Sequence, residues 1–136
     1  ECRFGYRESN FQHSEKVILS ASFSLHPRDS GLIKADMDDY MSRRREKQPL
    51  EFPSAGSTFR RYPGYFTAKL IDDAGLKGFS VGGAQVSEKH AGFVINRGNA
   101  TAADVLALVD EIKKRIFEIN GINIECEIRY IPYSVN

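Results

Sequence analysis

Ser57 sits in a glycine-led turn, Pro53-Ser54-Ala55-Gly56-Ser57-Thr58-Phe59. Glycine lets the backbone take positive φ or approach a ligand closely, so the hydroxyl after it can face a cavity. Such a hydroxyl is either a turn or N-cap group or a proton donor whose neighbours stabilise its alkoxide. Nucleophilic use is disfavoured. No Ser-His-Asp pattern lies nearby, and the nucleophile elbow needs glycine on both sides of the serine. Far downstream, Glu127 and Arg129 are two residues apart, so on a strand both point the same way. They could flank a substrate carboxylate, or form a cross-strand ion pair on a solvated face. Far upstream, Gly5-Tyr6-Arg7-Glu8-Ser9-Asn10-Phe11 offers a guanidinium fork for a carboxylate or phosphate. Its plainer reading is a surface arginine beside Glu8.

Arg60, Arg61, Lys69 and Lys77 cluster within and after the serine loop. They suit a diphosphate, or simply a charged surface. The run Arg43-Arg44-Arg45 reads as a solvated helix face, because no aromatic residues interleave with it for base stacking. Gly82-Gly83-Ala84 is neither a dinucleotide fingerprint nor a P-loop. His13, His26 and His90 have unrelated spacings and the two cysteines, Cys2 and Cys126, lack metal-site spacing, so no metal is expected.

Several elements must position these residues. Lys16 to Leu25 alternates with period two and predicts a strand. His26 to Gly31 carries turn chemistry and is the expected domain boundary. Leu32 to Glu46 predicts a helix with Ile33, Met37, Tyr40, Met41 and Arg44 on one side, limited by Pro49. Gly64 to Ala74 predicts a second helix, with Phe66, Leu70, Ile71 and Ala74 inward and Gly75 as its C-terminal cap. Phe79-Ser80-Val81 and Ala91 to Ile95 predict short strands. Thr101 and Asp104 resemble a capping box opening a third helix. There Val105, Leu108, Val109, Ile112, Ile116 and Ile119 recur at helical spacing, and Asn120-Gly121 ends it. Ile122 to Ile131 predicts a last strand, with Ile122, Ile124, Cys126, Ile128 and Tyr130 on one face and Glu125, Glu127 and Arg129 on the other. The fold class is α+β, a small mixed sheet packed with about three helices.

The 136 residues suffice for one ordinary domain with a core of its own. With 41% hydrophobic and 27% charged residues, the composition is that of a soluble globular protein. A net charge of +1 provides no global field toward nucleic acid or anionic membrane, and no apolar run could span a bilayer. Few cysteines suit a reducing, cytoplasmic setting. A start at Glu1 rather than methionine suggests a piece of a longer protein.

Seven segments, in this order, resemble the UDP-N-acetylenolpyruvoylglucosamine reductase (MurB) family. They are Gly5-Tyr6-Arg7-Glu8-Ser9-x-Phe11, Pro53 to Arg61, Lys69-Leu70-Ile71-Asp72, Gly75-Leu76-Lys77-Gly78, Gly82 to Phe93, Asn99 to Val105, and Glu127-Ile128-Arg129. The resemblance implies the C-terminal portion of a flavoenzyme of peptidoglycan synthesis, in the subclass lacking an extra tyrosine-bearing loop. Residues 1–26 would close the FAD-binding region, and residues 27–136 would form the substrate-binding domain. NADPH and FAD are the implied electron carriers, and UDP-N-acetylglucosamine enolpyruvate the implied substrate.

By position, Arg7, Ser57 and Glu127 take the catalytic roles. Ser57 would donate the proton, and Arg7 and Glu127 would stabilise the enolate-like anion. A carboxyl aids an anion best when protonated, so Glu127 is expected to have a raised pKa in the whole enzyme. Tyr6, Arg60, Arg61, Lys69, Gln85 and Arg129 are the implied substrate contacts, with cofactor contacts mostly outside this sequence. Cys126 replaces a frequent proline, with its side chain expected to point away from Glu127. Tyr62 departs from the spacing expected between Arg61 and Pro63. The implied enzyme is a cytoplasmic monomer using neither nucleic acid nor membrane. The fragment alone is expected to be inactive, with self-pairing through residues 16–25 left open. The alternatives are a non-catalytic module for a sugar nucleotide or partner, and a small nucleic-acid protein using Arg43–Arg45.

Overall fold

The structure is a computed structural model that describes residues 2–5, 8–61 and 64–132. The chain divides into two compact units, Glu1–Ile33 and Lys34–Asn136. In the first, Gly5 and Glu8 exchange backbone hydrogen bonds of 2.9 and 3.3 Å, and the Asn10 N–H donates to the Cys2 carbonyl. Residues 16–25 do not form the expected strand. They take no regular structure, and Leu19, Phe23 and Leu25 are more than 80% exposed. Alternation predicts which side chains would share a face, but a strand exists only where a second backbone pairs with it. Among the described residues none does.

Helix α1, Ser30–Lys47, forms where expected but buries no residue. Its apolar side, Ile33, Met37, Tyr40 and Met41, is exposed. It is held internally by i,i+4 pairs such as Lys34–Asp38 at 3.0 Å and Arg43–Asp39 at 2.7 Å.

The second unit holds a four-stranded sheet in the order β1-β4-β3-β2, with β1 Ser54–Ser57, β2 Ser80–Val81, β3 Ala84–Val86 and β4 Phe93–Asn96. The fold is α+β as expected, and the named pairings are all antiparallel rather than mixed. The connections explain this: β2 and β3 are joined by Gly82-Gly83 alone, and a two-residue turn can only reverse the chain. Strand β3 was missed because Ala84-Gln85-Val86 is too short to show a period, although a Gly-Gly pair between strand-like residues is a hairpin signal.

Helix α2 is Thr67–Asp73 rather than Gly64–Ala74. Gly64 has φ +95°, which an α-helix cannot include. Phe66 becomes the N-cap and is 66% exposed instead of facing inward. The far end follows expectation. Gly75 has φ +67° and its N–H donates to the Asp72 carbonyl, while the Leu76 N–H donates to that of Ile71. This is a Schellman closure.

Helix α3, Ala102–Asn120, starts on the expected capping box and ends on Gly121 at φ +68°. Its stripe of Leu108, Val109, Ile112 and Ile116 packs with Ile71, Val86, Val94 and Ile124 in the core. Ile119, predicted on that stripe, is 61% exposed in the last turn. Truncating one of the fully buried isoleucines to alanine costs about 2–5 kcal/mol.

The last segment, from Ile122, was expected to be a strand through Ile131. It forms only one isolated bridge, Phe59↔Cys126. Backbone bonds from Arg60 N–H to the Glu125 carbonyl and from Glu127 N–H to that of Thr58 flank the bridge. The predicted alternation appears in burial only as far as Arg129: Ile122, Ile124, Cys126 and Ile128 are covered and Glu125, Glu127 and Arg129 exposed, but Tyr130, expected on the covered face, is 58% exposed beyond the single bridge.

Candidate functional site

The site grows from the end of β1. Gly56 has φ +85°, and the register of β1 against β4 shifts between Ser54 and Ser57. That irregularity, which glycine permits, re-aims the following residue. Ser57 is exposed, and its hydroxyl has a long 3.4 Å contact to the Phe59 carbonyl.

Thr58 is 1% exposed and ties three stretches of chain together. Its N–H donates to the Gly92 carbonyl at 2.8 Å, and its Oγ1 accepts from Val94 N–H at 3.0 Å. Its carbonyl accepts from Glu127 N–H at 2.8 Å and from the Cys126 thiol at 3.4 Å. The Glu127 backbone, seventy positions from Ser57 in sequence, thereby lies beside Thr58, the residue after Ser57. Both are exposed. Cys126 turns toward Thr58 and the core, as its place on the alternating face requires.

Of the remaining sequence candidates, Arg7 and Tyr6 lie outside the described residues, as does Tyr62. Arg60 pairs with Glu125 at 3.0 Å across the Phe59–Cys126 bridge. Lys69 pairs with Asp73 at 2.8 Å, and that hydrogen bond holds its pKa above the ordinary lysine value. Lys77 pairs with Asp72 at 2.6 Å. The Arg61 guanidinium lies over the Phe66 ring at 5.9 Å. Exposed pairs of this kind contribute little and exchange readily, so they leave the cations available to an anion. Gln85 is half-buried in β3, and its amide donates to the Gly78 carbonyl at 3.0 Å. Arg129 is exposed beyond Glu127.

Two hollows flank this region. One, of about 350 Å³, is largely apolar and is lined by Ala55, Thr58, Val94, Val105 and Ile128. The other, of about 430 Å³, holds Gln85, Lys89 and Arg97, with Lys89 paired to Glu51 at 2.7 Å. The Lys89 hydrogen bond holds Glu51 below the usual carboxylate range. Among the described residues no cluster of His, Cys, Asp or Glu could hold a metal ion, and no helix is long and apolar enough to cross a membrane.

Sequence reasoning passed over two residues. Thr58 was hidden beside Ser57, and nothing in one sequence separates a buried hub from a neighbour in a turn. His90 was set aside with the other histidines. Its ring is half-buried, takes an N–H bond from Gly92 at 3.0 Å and meets the Phe93 ring edge-on at 5.0 Å.

Residues 48–131 match the family described as UDP-N-acetylenolpyruvoylglucosamine reductase, C-terminal domain. The chain belongs to this family. A UDP-N-acetylenolpyruvoylglucosamine reductase of Syntrophomonas wolfei is 52% identical over 131 residues, covering 96% of this chain and 44% of its own length. The reductase of Geobacillus thermodenitrificans is 49% identical over 131 residues, again 96% of this chain and 43% of its own. A crystal structure of the Thermus caldophilus reductase (MurB) superposes with a TM-score of 0.66 at 33% identity, over 80% of this chain and 38% of that one. The chain thus spans less than half the length of the curated relatives it matches. The α+β architecture is that of the reductase family's C-terminal domain.

Proposed function

We propose that this chain is the substrate-binding C-terminal part of a cytoplasmic enzyme that reduces UDP-N-acetylglucosamine enolpyruvate to UDP-N-acetylmuramate, with NADPH as electron source and FAD as bound carrier. Under this reading residues 1–26 close the FAD-binding region and residues 27–136 form the substrate domain. One observation supports it: the Glu127 N–H donates to the carbonyl of the residue after Ser57, so the backbone segments that bear the hydroxyl and the carboxyl are neighbours, and both residues are exposed. The names of the relatives support the substrate class.

The exposed end of β1 would be open to a flavin bound beside it. Gly56 has nothing within 4 Å of where a Cβ would stand, and both functional side chains are exposed. The chemistry a bound flavin supplies there is a hydride to the enolpyruvyl double bond. The chain's own residues must handle what remains. Addition of hydride to one carbon leaves an electron pair on the other, next to the carboxylate, into which it delocalises. Ser57 gives its hydroxyl proton to that carbon, and Arg7 and Glu127 stabilise the anion before the proton arrives. Glu127 is exposed in this chain, so its surroundings during the reaction come in part from the rest of the enzyme and the substrate. Arg60, Arg61 and Lys69 exchange their exposed partners for the diphosphate, while Tyr6, Gln85 and Arg129 orient the remainder of the substrate.

Ser57→Ala in the full-length enzyme tests the reading. Turnover should fall by about 10²–10⁴-fold, the usual contribution of a positioned acid, with substrate dissociation constant nearly unchanged. Unchanged turnover removes Ser57 from the mechanism. The chain alone, given FAD, NADPH and substrate, should oxidise no NADPH; measurable oxidation would overturn the division of labour.

A further inference from the structure

Gly92 provides the backbone carbonyl that receives the Thr58 N–H at 2.8 Å, and Thr58 in turn receives the Glu127 N–H. The other side of that Gly92 residue is held by His90, whose Nδ1 accepts the Gly92 N–H at 3.0 Å. An accepting Nδ1 requires a ring with its proton on Nε2. The contact is close. A Cβ at Gly92 would stand 2.9 Å from His90 Cε1 and 3.2 Å from the Ala68 Cβ of α2, so this position admits only glycine while the ring is there. Phe93 covers the ring edge-on, and the His90 N–H is itself anchored on Ser87 Oγ at 3.3 Å.

We propose that His90 is a positioning residue, the neutral acceptor that fixes the Gly92 backbone to which Thr58 at the end of β1 is tied, and through Thr58 the Glu127 segment. The inference rests on the reading of Ser57 and Glu127 as the reacting pair. Burial holds the His90 pKa below the ordinary histidine value against an opposing backbone hydrogen bond, and the charged groups acting on the ring, Arg61 and Lys77, are both cations that push the same way as burial. The folded site therefore keeps the acceptor lone pair free. As pH falls through the lowered value, Nδ1 takes a proton, the Gly92 bond is lost and the turn loosens.

His90→Ala and His90→Asn separate this role from packing. Both remove the ring that meets Phe93. Only asparagine restores an acceptor to the N–H two residues on, through an Asx-turn. In this chain, His90→Ala should speed hydrogen exchange at the Thr58 amide by about tenfold, the equivalent of one hydrogen bond, and His90→Asn should return it to near the wild-type rate. In the full-length enzyme, His90→Ala should lower kcat by about 10- to 100-fold with little change in KM, as expected for a small misplacement. His90→Asn should recover kcat and lose the acid-side decline that the imidazole imposes. An alanine variant with wild-type exchange and kcat overturns the proposal, as does a folded asparagine variant as impaired as the alanine one. If wild-type full-length enzyme shows no reductase activity, the functional reading fails; the Thr58 exchange rates still decide whether His90 holds the turn.

Discussion

Thr58 shows how one buried residue ties together the backbone segments that carry two exposed ones. Its Oγ1 receives the Val94 N–H in a position from which water is excluded. Replacing it with valine keeps the shape but leaves that N–H unsatisfied, at a cost of about 1–3 kcal/mol. Thr58→Ser keeps the oxygen and loses only a methyl group, so it should cost distinctly less. Denaturant unfolding of the two variants checks the order; a larger loss for serine than for valine would mean that the methyl group, not the hydroxyl, is what this position needs. Ser57 itself contributes little to folding, being exposed with one long contact. Ser57→Ala should therefore unfold at the wild-type denaturant midpoint, so lost turnover in that variant can be assigned to chemistry.

At the scale of elements, the best-specified piece is the start of α3. Thr101 Oγ1 accepts the Asp104 N–H at 3.1 Å, and the Asp104 carboxylate accepts the Thr101 N–H at 2.8 Å. That bond first, then a second one with the Thr101 hydroxyl, holds Asp104 below its ordinary pKa, with help from Gly83 in the hairpin. Gly83 has no room for a side chain, since an added Cβ would run into the Gly98 carbonyl and the Ala100 backbone. Thr101→Ala should cost about 1 kcal/mol. Because the folded pKa of Asp104 is depressed, its contribution is complete above the unfolded value and lost as pH falls through the folded one. Thermal unfolding should thus show an acid-side loss that Asp104→Asn reduces; an unchanged pH profile would place the loss elsewhere. This helix was legible because cap, stripe and stop are all local signals. The same locality made Gly75 legible. Strands fared worse, because pairing depends on distant backbone: residues 16–25 alternate as well as any strand yet pair with nothing described, while three-residue β3 is central. At the site, residue types in a shared motif pointed to Ser57 and Glu127. That Thr58 ties their backbone segments to Gly92 and Val94 was not legible, since hydrogen-bond partners 36 and 68 positions apart leave no mark on a single sequence.

For the whole molecule, the decisive asymmetry is where the burial lies. The buried core residues all fall between Phe59 and Ile124, in the second unit, and α1 adds none. Residues 16–25 instead expose Val17, Leu19, Phe23 and Leu25. Deleting residues 1–29 removes no core side chain. It also removes unpaired backbone and apolar surface of the kind that drives edge-to-edge association. Burial dominates stability, and a 1 kcal/mol loss shifts the Tm of a domain this size by several degrees. The shortened chain should therefore unfold within about 2 °C of the parent, and should sediment as a single monomeric species at concentrations where the parent self-associates. A Tm drop larger than about 5 °C would mean that the first unit shares the cooperative fold. Equal self-association of both chains would move the contact to the exposed apolar side of α1, where Met37, Tyr40 and Met41 remain in the shortened chain.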